Sequence, residues 1–150
     1  MRVVLQRVKE ASVTVEGKVI SQIGPGFLIL LGVEAEDTAD DISWLARKIA
    51  RLRVFSDDND AMNISITEAK GTCIVVSQFT LHASTKKGNR PSFIKAARPD
   101  IAIPLYEAFV LQLEKEIGVK IYTGEFGAMM DVALINDGPV TIIIDSKQRE

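Results

Sequence analysis

Phe27-Leu28-Ile29-Leu30-Leu31-Gly32-Val33, with the change of period that follows it over Asp37 to Arg53, decides the fold of this chain. The first run is apolar throughout and follows the punctuation Gly24-Pro25-Gly26, so it reads as a central strand covered on both faces. Past Asp37 the apolar residues Ile42, Leu45, Ile49 and Leu52 fall at i, i+3, i+7 and i+10, one face of an α-helix. Asp37, Asp40 and Asp41 stand at the positive end of its macrodipole. Arg47, Lys48 and Arg51 stand toward the negative end, so dipole complementarity accounts for these cations without a ligand.

Upstream, Val13 and Val15 alternate with Thr14 before Gly17, and Val19 and Ile23 keep a period suited to one buried face, so the first third reads as antiparallel strands. Downstream, Cys73 to Leu81 reads as a strand bounded by Gly71, and Thr85 to Pro99 as a loop-rich excursion with Gly88, Pro91 and Pro99. Pro104 opens a second helix in which Leu105, Phe109 and Leu113 recur at i+4 and Gly118 supplies the stop. Strands follow at Lys120 to Thr123, Asp131 to Ile135 and Val140 to Asp145, the last two separated by an Asn136-Asp137-Gly138-Pro139 turn.

A chain of 150 residues fits one domain and buries roughly two thirds of its unfolded surface without staples. Its 47% hydrophobic and 25% charged residues are ordinary globular proportions, and only residues 146–150 are expected to fray. Cys73 is the one cysteine, so no intramolecular disulfide forms, and within Cys73-Ile74-Val75-Val76 it reads as a small hydrophobe. Arg2 and Arg7 precede no signal-like apolar core, and no run approaches the roughly 18 apolar residues of a membrane span, so a soluble, cytoplasmic protein with no membrane partner is expected. The net charge of -2 argues against gripping nucleic acid over a broad face. Lys86, Lys87, Arg90, Lys95 and Arg98 nevertheless form an acid-free basic segment, open between phosphate binding and a solvated loop.

Familiar catalytic sets are missing. His82 is the only histidine; alternation puts it on a strand face with Thr80, but no carboxylate to orient the imidazole is identifiable. One Cys and one His make no zinc site, and no phosphate-cradling or dinucleotide motif occurs, so neither metal nor cofactor is expected. What remains is Ser77-Gln78-Phe79-Thr80, two hydroxyls and an amide interrupting an apolar strand that runs into a loop. Spacing alone leaves this segment open between a tolerated polar strand end and a site. Asn136-Asp137-Gly138-Pro139-Val140-Thr141 combines a bare glycine with a fixed ring, in an X-Pro bond for which cis costs only about 0.5–1 kcal/mol.

These two segments, with Arg2 to Gly17, Arg90-Pro91-Ser92-Phe93 and Gly124-Glu125-Phe126-Gly127-Ala128-Met129-Met130, resemble the D-aminoacyl-tRNA deacylase family in register over Met1 to Thr141. The resemblance implies a homodimeric α+β protein, antiparallel strands forming a barrel-like core with two main helices packed outside. It implies hydrolysis of the ester between a D-amino acid and the 3'-terminal adenosine of tRNA. Ser77, Gln78, Phe79 and Thr80 then line the pocket around the adenosine, and the amides near Phe79 and Thr80 hold the ester carbonyl. Gly138 and Pro139 enter the partner's site as a cis pair that rejects L-residues by steric clash, and Arg7 braces that corner. Phe126, Met129 and Met130 lie beside the pocket, Lys86, Lys87 and Arg90 bind tRNA, and glycyl-tRNA is a second expected substrate. With no base beside Thr80, the ribose 2'-OH of the substrate is expected to assist the chemistry. The rival readings are a tRNA-binding module without catalysis and a general small-ester hydrolase.

Overall fold

The computed structural model describes all 150 residues. Its elements are β1 (Arg2–Val15), β2 (Lys18–Ile23), β3 (Gly26–Gly32), α1 (Ala39–Ala50), β4 (Phe55–Ser56), β5 (Met62–Ile64), β6 (Thr72–Ser77), a 3-10 turn (Phe79–His82), α2 (Pro99–Ile117), β7 (Tyr122–Thr123) and β8 (Asp131–Asp145).

β3 is central, as its apolar run predicts, with β1 antiparallel on one edge and β6 parallel on the other. β2 and β3 share one register against β1, Ala11 facing Ile23 and Val8 facing Gly26, so they form a single long strand bent at Gly24-Pro25. β8 runs antiparallel along the opposite edge of β1 from Arg2 to Thr14. β7 adds to β6 in parallel, and the Ser21 hydroxyl of β2 donates to the Thr123 carbonyl of β7, so the sheet curls almost closed. The barrel-like core and two outer helices are therefore present, but the sheet is mixed, not antiparallel. The chain between β3 and β6 contains α1 and returns in the same direction, a crossover that the reading of successive strands overlooked. Gly26 belongs to this parallel join: a Cβ there would lie 1.8 Å from the Thr72 carbonyl oxygen.

One face of the sheet, carrying Val3, Leu5, Phe27, Ile29, Leu31, Cys73 and Val75, packs under both helices with Ile42, Leu45, Ile49, Phe109 and Leu113. The other face fills the barrel with Val8, Ala11, Val13, Ile23, Leu28, Ile74 and Val76. Consecutive exposed residues Lys9 and Glu10 change the phase of β1, moving its odd-numbered side chains from the helix side to the barrel side.

The bounds of α2 and β8 differ from expectation. α2 starts at Pro99, with Pro104 inside it, because a first-turn proline costs no hydrogen bond and the buried stripe Ala102, Tyr106, Phe109, Val110, Leu113 and Ile117 rewards the extra turn. It ends at Gly118, whose φ of 84° and donation to the Glu114 carbonyl close the helix. β8 is one 15-residue strand, not two strands around a turn. From Asn136 to Thr141 it takes five steps opposite the two from Val8 to Gln6 on β1, so the surplus is extruded as a wide bulge and the chain keeps its direction.

The tail does not fray. Ser146 is buried and its amide donates to the Met1 carbonyl, Lys147 Nζ lies 2.7 Å from an Asp41 carboxylate oxygen, and the Arg149 guanidinium stacks 4.3 Å from the Trp44 ring centre. The amino-terminal ammonium is buried too, paired with Asp37 and donating to the Ser146 hydroxyl. Composition could not show the partners of the tail, since Met1, Asp41 and Trp44 lie more than a hundred residues from it.

Asp41 also caps α1, accepting from the Thr38 amide and hydroxyl at 2.9 and 3.1 Å. Burial pushes its carboxyl up, but donation from Lys147, Ser146 and Thr38 outweighs that and holds it well below the usual carboxylate range. A depressed folded-state value gives stability that is complete above the unfolded value of about 4 and is lost as pH falls through the folded one. Asp41→Asn should therefore lower the thermal midpoint at pH 7 by several degrees, at about 3 °C per kcal/mol lost for a chain of this size. The gap should narrow from about pH 4 downward; parallel curves for the two proteins over this range would contradict this role.

Candidate functional site

Where β6 ends, Ser77 is the last residue paired to β3, opposite Leu31, and the chain tightens into the 3-10 turn. This replaces the expected strand to Leu81 and removes the strand-face relation between Thr80 and His82. The Gln78 amide still donates to the Leu31 carbonyl at 2.8 Å, so the turn starts from a fixed point. Within it Leu81 donates to Gln78 and Ala83 to Thr80. The amides of Phe79 and Thr80, at its open end, have no acceptor within the chain, as the first amides of any helix must lack one. The Thr80 hydroxyl accepts from the Gln78 side-chain amide.

Ser77, Gln78 and Phe79 form one wall of a cleft of about 360 Å³. Phe126, Met129 and Met130 form another, with Leu31, Val33 and Val76 at the floor and Ala97 and Ala102 at the side. Six of the residues expected in the site thus converge, and Thr80 stands on the rim outside the lining. Gly124 leaves space for Met130, since a Cβ there would come within 2.6 Å of its sulfur. Met129 is 91% exposed and Phe79 58%, so both are open at the mouth. Tyr106 lies under the wall, donating to the Val75 carbonyl at 2.7 Å and meeting Phe126 edge-on; burial pushes its hydroxyl up to about 12. The lining is mainly apolar with a few polar groups at one end, the usual make-up of a small-molecule site.

Gly138, Pro139 and Arg7 are placed elsewhere. Arg7 stands opposite Phe27, four positions along β3 from Leu31, so about 13 Å of strand separates the corner's level from that of Ser77. The Gly138-Pro139 peptide is cis, and both residues are exposed on the extruded bulge of β8, which has no strand on its outer edge. Arg7 is buried beneath, its Nε donating to the Asp137 carbonyl at 3.2 Å and its guanidinium to the Val54 carbonyl, with the Asp137 carboxylate also in ion-pair range. From above, the Asn136 side chain accepts from the Val140 amide and donates to the Thr141 hydroxyl, both at 2.9 Å. At φ 126° Gly138 occupies a conformation that L side chains avoid, and a Cβ there would meet Val140 at 2.9 Å and Arg7 at 3.1 Å.

Lys86, Lys87 and Arg90 are exposed on a hairpin closed by reciprocal Ser84 and Ser92 hydrogen bonds, directly after the 3-10 turn. None lines the cleft, but Phe93 on the returning arm packs edge-on against Phe79 at 5.1 Å, so the hairpin flanks the mouth.

His82 has the carboxylate that its sequence neighbours did not reveal: Nδ1 lies 3.3 Å from Glu34. Its Nε2 is buried without a partner against Gly32, where a Cβ would come within 2.9 Å. This imidazole is buried and does not line the cleft, so it packs beneath the turn. Arg2 was also missed as a site residue. It joins Asp145 through a doubled contact at 2.9 Å and donates from Nη1 to the Leu81 carbonyl at 2.9 Å, tying the end of β8 to the 3-10 turn. A pattern that marks Arg2 only as a strand residue contains no signal for this, because both partners are distant in sequence.

The family model described as D-Tyr-tRNA(Tyr) deacylase matches residues 4–145. The chain is 63% identical over 150 residues to a D-aminoacyl-tRNA deacylase of Flavobacterium johnsoniae and 59% identical to one of Parabacteroides distasonis, in each case covering 100% of both chains. Among solved structures it is similar to one titled c-Myc DNA Unwinding Element Binding Protein, with a TM-score of 0.90 and 42% identity over 97% of this chain and 98% of that one. A probable eukaryotic D-amino acid tRNA deacylase, at 17% identity and TM-score 0.81 over 95% and 97% of the two chains, shares the fold.

Loosening the brace should free the turn but spare the sheet. In Arg2→Leu, amide exchange at Leu81 and Ala83 should quicken at least about tenfold, the equivalent of roughly 1.4 kcal/mol of local opening. Amides of β3 and β6 should keep their protection. Unchanged exchange in the turn would show that Arg2 does not hold it.

Proposed function

The chain belongs to the D-Tyr-tRNA(Tyr) deacylase family, and on that premise we propose that it hydrolyses D-aminoacyl-tRNA, freeing the D-amino acid from the 3'-terminal adenosine. The observation that carries this reading is the pair of acceptorless amides at Phe79 and Thr80, set at the mouth of an apolar cleft that no imidazole enters. Such donors suit an ester carbonyl whose oxygen gains negative charge as water adds to its carbon. One donor of this kind is worth about 2.7–4 kcal/mol in a serine protease, where the same kind of oxyanion forms.

The chemistry follows from what the cleft offers. Water adds to the carbonyl carbon, the tetrahedral oxyanion is held by the two amides, and the bond to the ribose 3' oxygen breaks, with the proton from water ending on the released 3'-OH. The neighbouring 2'-OH of the same ribose is positioned to orient or activate the water, so substrate supplies what the protein lacks. Gln78 holds the Thr80 hydroxyl, which leaves Thr80 shaping the rim and not attacking.

Chirality is read by a wall. The bulge of Gly138 and Pro139 projects from an edge strand and is fixed by Arg7 and Asn136, so it suits insertion into the cleft of a second copy in a homodimer. A rigid backbone beside the substrate Cα excludes any side chain on the L side and leaves the D side open, and glycine, with neither, passes. Lys86, Lys87 and Arg90 on the flanking hairpin meet backbone phosphates, and the reaction belongs to the cytoplasm. No helix of the protein is long and apolar enough to cross a membrane.

Paired D- and L-esters of one amino acid on the same tRNA test this reading. The protein should hydrolyse the D-ester and spare the L-ester, and a 2'-deoxy terminal adenosine should slow the D-ester by at least about a hundredfold. Gly138→Ala should depress hydrolysis of D-aminoacyl- and glycyl-tRNA together, because the added Cβ displaces Val140 and Arg7 and with them the wall. Full activity on the 2'-deoxy substrate would contradict substrate assistance. Wild-type rates and full L-rejection in Gly138→Ala would reduce the corner to a structural bulge.

A further inference from the structure

Trp44, Arg47, Lys48 and Arg51 fall at i, i+3, i+4 and i+7 of α1, a single stripe on the face turned away from Ile42, Leu45 and Ile49. With Leu52 and Arg53 they line a groove of about 390 Å³ that has no carboxylate in its walls. None of the four cations pairs with an acid: the ion pairs of the chain engage the amino terminus, Arg2, Arg7, His82, Arg98 and Lys147. Arg53 donates to Asn63, with Glu68 in the neighbouring wall the nearest compensating charge. Arg149 comes in from the opposite end of the chain, its guanidinium 4.3 Å from the Trp44 ring centre, and Lys48 Nζ lies 5.6 Å from the same ring.

Four cations of one stretch thus line this groove with Trp44, and Arg149 from the far end of the chain joins Lys48 over its ring, in a protein whose net charge is -2. The dipole of α1 favours positive charge in its last turn, which suits Arg47 and Lys48. It explains neither Arg53, past the helix, nor Arg149. A cluster of cations without an ion-paired acid, larger than the helix dipole accounts for, matches a polyanion.

We propose that this groove holds backbone phosphates of the tRNA body while the aminoacylated end occupies the cleft, an inference that rests on the D-aminoacyl-tRNA reading. A second depression adjoins both places: its walls include Trp44, Lys48 and Arg149 together with Arg2 and Leu81, and also Glu150 and Asp145, the latter paired with Arg2. Leu81 belongs to the 3-10 turn that presents Phe79, so a strand leaving the cleft past this turn meets the cationic stripe next. Arginine forks suit phosphate oxygens, and the Trp44 face accepts a guanidinium or a base plane. The groove ends at Arg51 and Arg53, where Glu68 and Glu116 enter the neighbouring wall and restore negative charge.

Arg47→Glu with Arg51→Glu in the full chain tests the site against two substrates, a D-aminoacyl-tRNA and a 3'-O-D-aminoacyl adenosine that lacks the RNA body. The expected result is a KM for the tRNA raised at least about tenfold, with a shallower salt dependence, while kcat and hydrolysis of the adenosine ester stay as in wild type. Arg47→Lys with Arg51→Lys should recover most of the loss. An unchanged KM for the tRNA would overturn the proposal, and so would an equal loss on both substrates, which would place the effect in the cleft or the fold. Retention of uncharged tRNA on filters reads the site without catalysis: weaker retention by the reversed variant supports it and equal retention overturns it. If wild type hydrolyses neither substrate, the functional reading fails on its own evidence, separately from the filter result.

Discussion

The pairing of β8 along β1 is the constraint on which the rest of this structure depends. Their registers agree from Asp145 to Thr141 and again from Ile135 to Asp131, but the span between is longer on β8 than on β1. The surplus has to leave the plane of the sheet, and it leaves at the one Gly-Pro pair in β8. Arg7 beneath and Asn136 above then convert what could be a loose bulge into a fixed corner. The same strand reaches its end at Asp145, where Arg2 passes its hold on to the 3-10 turn. One strand pairing therefore sets both backbone features that the proposed chemistry uses.

Those features have something in common: each is made of main chain. In the proposed mechanism the carbonyl of the substrate would meet amides, and its Cα a glycine and a ring. Side chains near them act as supports, with His82 packed against Gly32, Tyr106 pinning β6 and Gln78 restraining Thr80. Backbone donors held by a sheet need no reorganisation as charge develops, which is the condition under which electrostatic stabilisation is largest. A wall without a functional group also discriminates by shape alone, so it is indifferent to which side chain the D-amino acid carries.

What the sequence made legible were periods and punctuation. The apolar run Phe27 to Val33 and the helical stripe Ile42, Leu45 and Ile49 lie where their patterns put them, and Ser77 to Phe79 do converge with Phe126, Met129 and Met130. Illegible features were those decided by distant partners. A parallel join leaves no mark on the periodicity of β6, so the sheet read as antiparallel. Asn136 to Pro139 has the composition of a hairpin turn, and only the continuing register with β1 distinguishes a bulge from a reversal. The tail looked free because Asp41, Trp44 and Met1, which hold it, lie at the other end of the chain.

Mixed dimers test most directly the claim that the corner of one copy completes the cleft of the other. Phe79→Pro removes one donor amide at the first position of the turn, where proline fits, and Gly138→Ala disturbs the corner. Differently tagged chains allow two dimers to be isolated, one with both changes on a single chain beside a wild-type chain, the other with one change on each. The account predicts that the second dimer keeps about half of the wild-type D-aminoacyl-tRNA hydrolysis, since one unchanged corner meets one unchanged cleft, and that the first has almost none. The reverse order of activities would mean that each chain completes its own site, and would contradict the account.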